Sequence, residues 1–293
     1  MALARILTAV SACLACGGVF SAPLSAIDDR GLVLDLQKPA SRIVAISPHL
    51  AELAYAAGAG DRLIAVVRGS DFPSELANLP QVGDAFGIDY ERLIALRPDL
   101  VLAWGSGNRA ADLQQLADRG IALFVAEPRH LGDIARHMRA IGHLAGSPEI
   151  AQAAALSFER QLERFRARYA LSESLSAFVE IWPQPLFTVG PQHMISEALG
   201  LCGARNVLRD YPLPSGPLPM EAVVSAAPDL IVSLSGIADN AAHARWRELR
   251  SLKAANAIIS VDPDLLTRAT PRVLLGAQAL CAAVDARRQT LTH

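Results

Sequence analysis

The chain carries Glu91-Arg92-Leu93-Ile94-Ala95-Leu96-Arg97-Pro98-Asp99-Leu100-Val101 and, later, Glu221-Ala222-Val223-Val224-Ser225-Ala226-Ala227-Pro228-Asp229-Leu230-Ile231. In each copy a glutamate opens a short helical pattern, a Pro-Asp pair ends it, and branched apolar residues follow that read as a buried strand. Glutamate and proline are spaced identically, so helix, corner and strand occur twice. A weaker echo pairs Glu52 and Gly58 with Glu197 and Gly203 at equal spacing. Outward from the first copy, Arg42 to Ile46, Leu63 to Val67, Asp99 to Ala103 and Ile121 to Val125 read as strands. Helical stretches fall at Pro48 to Ala57, where Gly58 stops the run, and at Tyr90 to Leu96, Ala110 to Arg119 and Leu131 to Leu144. Around the second copy the strands are Ala177 to Ile181, Leu230 to Leu234 and Ile258 to Val261, and the helices Ile195 to Leu201, Glu221 to Ala227 and Pro271 to Arg287. Alternation of this kind predicts an α/β fold with mostly parallel sheets covered by helices.

Between the halves, Ser147-Pro148-Glu149 supplies an N-cap, a proline at the first helical position and an acid in the first turn. No Gly or Pro follows until after Leu171, which predicts one helix of more than about twenty residues. The expected architecture is two Rossmann-like lobes, each with a mostly parallel central sheet, joined by this single long helix: 27–146, 147–172 and 173–293. A continuous helix resists bending, so the cleft between such lobes is rigid rather than hinged.

With 293 residues, 52% of them hydrophobic, the chain is long enough for two cores. Charge is nearly balanced, 27 Lys+Arg against 29 Asp+Glu, so there is no basic field to attract a nucleic acid backbone. Ile6 to Phe20 is the one long apolar run without charge, and it is short for a bilayer span. Preceded by Arg5 and followed by the small residues Ser21, Ala22, Ser25 and Ala26, it reads as a signal peptide covering 1–26, cleaved between Ser21 and Ile27. Val10-Ser11-Ala12-Cys13 also resembles a lipoprotein processing site, so lipid anchoring at Cys13 stands as the alternative to soluble export. Export leaves Cys202 and Cys281 in the mature chain, either paired in one disulfide or as two buried thiols.

No Gly-x-Ser-x-Gly, His-Glu-x-x-His, phosphate-loop or Cys-x-x-Cys pattern occurs, and no enzyme, cofactor or protein-held metal is expected. His49 and His193 are the histidines to watch, each just before a helix facing the cleft. Gly105-Ser106-Gly107-Asn108-Arg109-Ala110, with Glu127 about twenty residues on, imitates a dinucleotide fingerprint. It follows the third strand rather than the first, so a ligand-lining loop is the reading preferred over a nucleotide-dependent α/β enzyme.

An exported pair of α/β lobes on one helix, with Ser47-Pro48 after the first strand, resembles the substrate-binding proteins of ABC importers for iron chelates and vitamin B12. Asp28-Asp29-Arg30-Gly31, Pro39 and Arg42-Ile43-Val44 resemble that family's opening strand and turn. Ser70-Asp71-Phe72-Pro73, the run from Leu93 to Trp104, and Arg268-Ala269-Thr270-Pro271-Arg272 are closer to its cobalamin-binding members than to its siderophore binders. The resemblance implies periplasmic capture of a corrinoid by a protein that is a monomer when free, for delivery to the permease dimer of an inner-membrane ABC importer. It implies that Glu91 and Glu221, one per lobe, dock onto the permease; that Trp104, Asp264 and Arg268 line the cleft; and that Cys202 and Cys281 are bonded. Where further cleft aromatics are expected the chain has Gly69, Ala85, Ile181 and Ser215, with Phe86 and Trp182 one residue away as substitutes. This leaves a ferric siderophore or haem as the alternative ligand.

Overall fold

The structure, a computed structural model, describes residues 23–84, 87–169, 174–236, 240–249 and 252–291. Cys13, the apolar run before Ser21, Ala85 and Phe86 lie outside the described residues. Two four-stranded sheets form. The first holds β1 (Ile43–Ala45), β2 (Leu63–Val66), β3 (Leu100–Trp104) and β4 (Leu123–Ala126) in the order β2-β1-β3-β4. The second holds β5 (Leu175–Glu180), β6 (Ala204–Asn206), β7 (Leu230–Ser233) and β8 (Ile258–Ser260) in the order β6-β5-β7-β8. Every pairing in both is parallel, so the two lobes share one topology.

The duplicated sequence builds the same corner in each lobe. The helices α1 (Pro48–Ala54), α2 (Tyr90–Ala95), α3 (Ala110–Ala117) and α4 (Leu131–Ala145) serve the first lobe. After α5 (Pro148–Tyr169) come α6 (Met194–Leu201), α7 (Met220–Ala226), α8 (Asn240–Glu248), α9 (Pro263–Leu266) and α10 (Val273–Leu291). Just beyond α2 and α7, Arg97 and Ala227 adopt left-handed φ values of 48° and 45°. Each precedes a proline, which disfavours the right-handed helical region and so ends the helix there. The following aspartate then ties the third strand of its lobe to the first. Asp99 accepts the N–H groups of Ser41 and Arg42 at 2.9 and 2.8 Å and donates its own N–H to the carbonyl of Arg42 at 3.0 Å. Asp229 accepts the N–H and hydroxyl of Ser176 at 3.0 and 2.7 Å and donates to the carbonyl of Ser176 at 2.8 Å.

Boundaries depart from expectation in a few places. The first helix ends at Ala54 and continues as a π-turn, Tyr55–Ala59, in which Gly58 has φ +77°. Ser147 fills the gap in the backbone bonding by donating its hydroxyl to the carbonyl of Ala57 at 2.8 Å. Gly58 is also required by packing, since a Cβ there would stand 2.8 Å from the side chain of Ile150. Strand β6 was not expected, because a three-residue strand with the exposed Arg205 at its centre shows no apolar run. The N-terminal segment is a hairpin, Leu24–Ile27 antiparallel to Val33–Leu36. Asp28 accepts the N–H groups of Arg30 and Leu32 to shape its turn.

The lobes do not have separate cores. One apolar cluster runs from Ile43, Leu50 and Leu102 through α4 and the buried face of α5 (Ala151, Ala155, Phe158, Leu162) to Phe178, Ile231 and Leu280. A second, on the other side of the first sheet, holds Val44, Val101, Leu93 and Leu116. Antiparallel α4 and α5 approach so closely that a Cβ on Gly142 would fall 2.2 Å from the Cβ of Ala151. Cys202, at the end of α6, is bonded to Cys281 in α10.

Candidate ligand-binding cleft

In open parallel sheets, ligands bind beyond the carboxyl ends of the strands. Here that position is shared by both lobes. A cavity of about 580 Å³ opens between the loops that follow β3 and β4 in the first lobe and the segments around His193 and Ser215 in the second. Its walls include Trp104, Ser106 and Glu127 on one side and Gln192, His193 and Ser215 on the other, with Asp29 and Arg30 of the hairpin turn at one end.

Trp104 ends β3 and is half-buried. Its ring and that of His49 meet in a T-shaped pair, with a centroid distance of 5.2 Å and 89° between planes. Gly107 lies against it so closely that a Cβ there would be 1.8 Å from Cε3. Asn108 fixes the loop by accepting the N–H of Trp104 at 2.7 Å and donating to the carbonyl of Ile46 at 3.0 Å. Glu127 accepts the N–H and hydroxyl of Ser106 at 2.6 and 2.9 Å. These contacts explain the glycines of the fingerprint-like loop without a nucleotide. One glycine lets the backbone cover an indole, and the loop N–H that would meet a phosphate already holds a carboxylate.

The two histidines differ from a metal pair. His49 lies in the first turn of α1, not ahead of it, and is buried; its Nδ1 is 2.7 Å from the Ser47 hydroxyl and its Nε2 is buried without a partner. Burial, followed by the nearby charges of His137 and Arg268, holds its pKa down to about 3. His193 is the N-cap of α6 and accepts the N–H of Ile195 on Nδ1 at 3.2 Å. Burial holds its pKa down to about 4, so it is neutral, and with Nδ1 accepting that bond its proton sits on Nε2. Asp29 is tied to α4: burial pushes its carboxyl up, but hydrogen bonds from His137, Arg136 and the Glu127 N–H outweigh this and leave it far below the usual carboxylate range.

Carboxylates also cross between lobes. Glu52 of α1 accepts both Nε and Nη2 of Arg272, each at 2.8 Å, just ahead of α10. Glu197 of α6 accepts the N–H of Leu131, the first residue of α4, at 2.8 Å, and Arg166 of α5 at 3.0 Å. The Glu52/Glu197 echo in sequence is therefore an exchange in space. The first helix of each lobe places an acid at the start of the last helix of the other, where the macrodipole favours it.

Of the residues expected at the site, Trp104 lines the cavity. Arg268 and Asp264 lie outside its walls; Arg268 pairs with Asp264 at 2.9 Å and reaches from its own lobe to Asp71 of the other at 2.7 Å. Trp182 stands 60% exposed on a hairpin of the second lobe, outside the wall of that cavity. Glu91 and Glu221 are exposed in the first turns of α2 and α7, at equivalent places in the two lobes. Ser106 lines the cavity as the reading of Gly105 to Ala110 as a ligand-lining loop implies, whereas nothing local marks Gln192 or Asp71 as lying between the lobes.

Residues 43–265 match the family described as periplasmic binding protein. The chain belongs to that family. Among members, the vitamin B12-binding protein of Yersinia pseudotuberculosis serotype O:1b (strain IP 31758) is 37% identical over 265 residues, covering 90% of this chain and 94% of its own. The crystal structure of the periplasmic vitamin B12 binding protein of Vibrio cholerae superposes with a TM-score of 0.78 at 31% identity, over 85% of this chain and 98% of that one. A periplasmic heme binding protein from Pseudomonas aeruginosa gives a TM-score of 0.73 at 25% identity, over 83% and 92%. The periplasmic binding protein fold thus serves ligands as different as a corrinoid and a haem, and side chains in the cleft must separate them.

Proposed function

We propose that this chain is an exported substrate-binding protein that holds a corrinoid of the vitamin B12 type between its lobes and hands it to an ABC importer. It does so by binding and release alone, without covalent chemistry. The observation that carries the reading is the near end-to-end 37% identity to a vitamin B12-binding protein, in a chain whose cleft presents an indole wall among polar and charged groups. The half-buried face of Trp104 suits a flat apolar macrocycle, while Asp264, Arg268, Gln192 and His193 offer hydrogen bonds to peripheral amides. Trp182 and Phe86 are assigned to the same ligand. Lobes tied by a continuous core, a disulfide-braced α6 and crossing carboxylates need little ordering on binding, which favours affinity.

Glu91 and Glu221 are assigned to docking. A permease dimer presents one patch twice, and a duplicated protein can answer it with one carboxylate per lobe. Delivery to such a permease places the protein in the periplasm, reached through an N-terminal signal shorter than the expected 1–26. Cleavage before Leu24 keeps the first hairpin strand whole.

The test is to titrate the purified mature protein with cyanocobalamin, haemin and a ferric hydroxamate while following tryptophan quenching. Cyanocobalamin binding below about 10 μM, tighter than either competitor, is expected. Preference for haemin or the hydroxamate would overturn the assignment.

A further inference from the structure

The ion pairs at the cleft carry a statement about which ligands it refuses. Arg268 is shared between Asp264 of its own lobe and Asp71 of the other. Its side chain is 14% exposed, whereas those of Asp71 and Asp264 are 58% and 42% exposed, so where the two lobes meet the carboxylates and not the guanidinium are open to solvent. The neighbouring cation is no freer. Arg272 is held in a two-bond pair by Glu52, whose side chain is 4% exposed, and its guanidinium lies 3.9 Å over the ring of Phe72. The group thus holds three carboxylates against two guanidiniums. In the cavity itself Arg30 is held by Asp28, and Arg129 shares the wall with Asp29 and Glu127.

We propose that the Asp71–Arg268–Asp264 cluster makes this cleft selective for neutral, carboxamide-bearing ligands over carboxylate-bearing ones, with Asp71 the determining residue. The inference rests on the corrinoid reading and names the part of the ligand that is read. An incoming carboxylate finds Arg268 already neutralised twice and two exposed negative charges beside it, so it meets like-charge repulsion and displaces nothing weaker than itself. A carboxamide donates its N–H groups to Asp71 or Asp264 and offers its carbonyl to the guanidinium, satisfying both signs at once. Corrinoids carry peripheral amides, whereas haem carries propionates and many ferric chelators carry carboxylates. Discrimination then comes from a repulsive element built against the wrong ligand as well as from contacts to the right one.

Cyanocobalamin and its monocarboxylic derivatives, in which one peripheral propionamide is hydrolysed to the acid, provide matched probes. The unaltered protein should bind the amide at least about tenfold more tightly than the derivative whose acid faces the cluster, and added salt should shrink that ratio by screening. Asp71→Asn should bring the ratio to within about threefold, while Asp71→Glu, which keeps the charge, should preserve it. A ratio equal in the unaltered protein and Asp71→Asn, with cyanocobalamin still bound by both, overturns this inference alone. Absence of cyanocobalamin binding by the unaltered protein overturns the corrinoid reading as well. Should Asp71→Asn fail to fold, a salt-independent ratio in the unaltered protein refutes the proposal equally.

Discussion

Gly107 shows how much one missing Cβ can decide. A methyl group placed there would collide with Trp104 at 1.8 Å, and the indole is already bounded on another side by His49. Gly107→Ala must therefore push the ring out of its seat, although the loop is exposed and carries no apolar core. The expected result is a roughly tenfold weaker cyanocobalamin affinity with a shifted tryptophan emission and little change in Tm, a loss of about 1.4 kcal/mol. Unchanged affinity would show that the seat of the indole is not what the ligand uses. The glycine was visible in the sequence as part of a fingerprint-like loop, but its partner was not. A glycine that covers an indole and one that covers a phosphate look alike until the neighbouring chain is in place.

Among elements, the repeated corner gives the clearest test. Burial pushes the Asp229 carboxyl up, but Lys253 and the N–H and hydroxyl of Ser176 more than compensate and leave its pKa at about 2. A carboxyl held below its ordinary 3.8 contributes stability that is fully present above about pH 4 and is lost as pH falls toward 2. With Lys253 more than half exposed, solvent screening cuts that contribution to about 1 kcal/mol. Asp229→Asn should accordingly unfold at lower urea at pH 7, and the gap from the unaltered protein should narrow as pH is lowered from 5 toward 2. A gap that stays constant with pH would refute the ionic account. The Pro-Asp pairs were legible because the same eleven-residue pattern occurs twice. Their role as clasps between the third and first strands was not, since Ser41 and Ser176 lie more than fifty residues from the acids they meet.

For the whole molecule, the duplicated topology gives a protein with one exposed acid at equivalent points on each lobe, Glu91 and Glu221. Exposed ion pairs of this kind each add about 0 to 1 kcal/mol and act mainly through orientation and encounter. Changing both to Ala should leave cyanocobalamin affinity within about twofold and abolish uptake in cells that depend on this protein, whereas intact uptake would remove them from docking. By itself the sequence determined the alternation of strands and helices, the single long helix and the duplication, because apolar period, Pro-Asp corners and the lack of Gly or Pro are local properties that need no partner. Tertiary structure alone decided that the two cores fuse through α5, that Glu52 and Glu197 reach across to the opposite lobe, and that Asp71 occupies Arg268. Those pairings join residues far apart in the chain, some by about two hundred positions. Which charges neutralise which depends on where the folded backbone sets them down, and no local pattern records that.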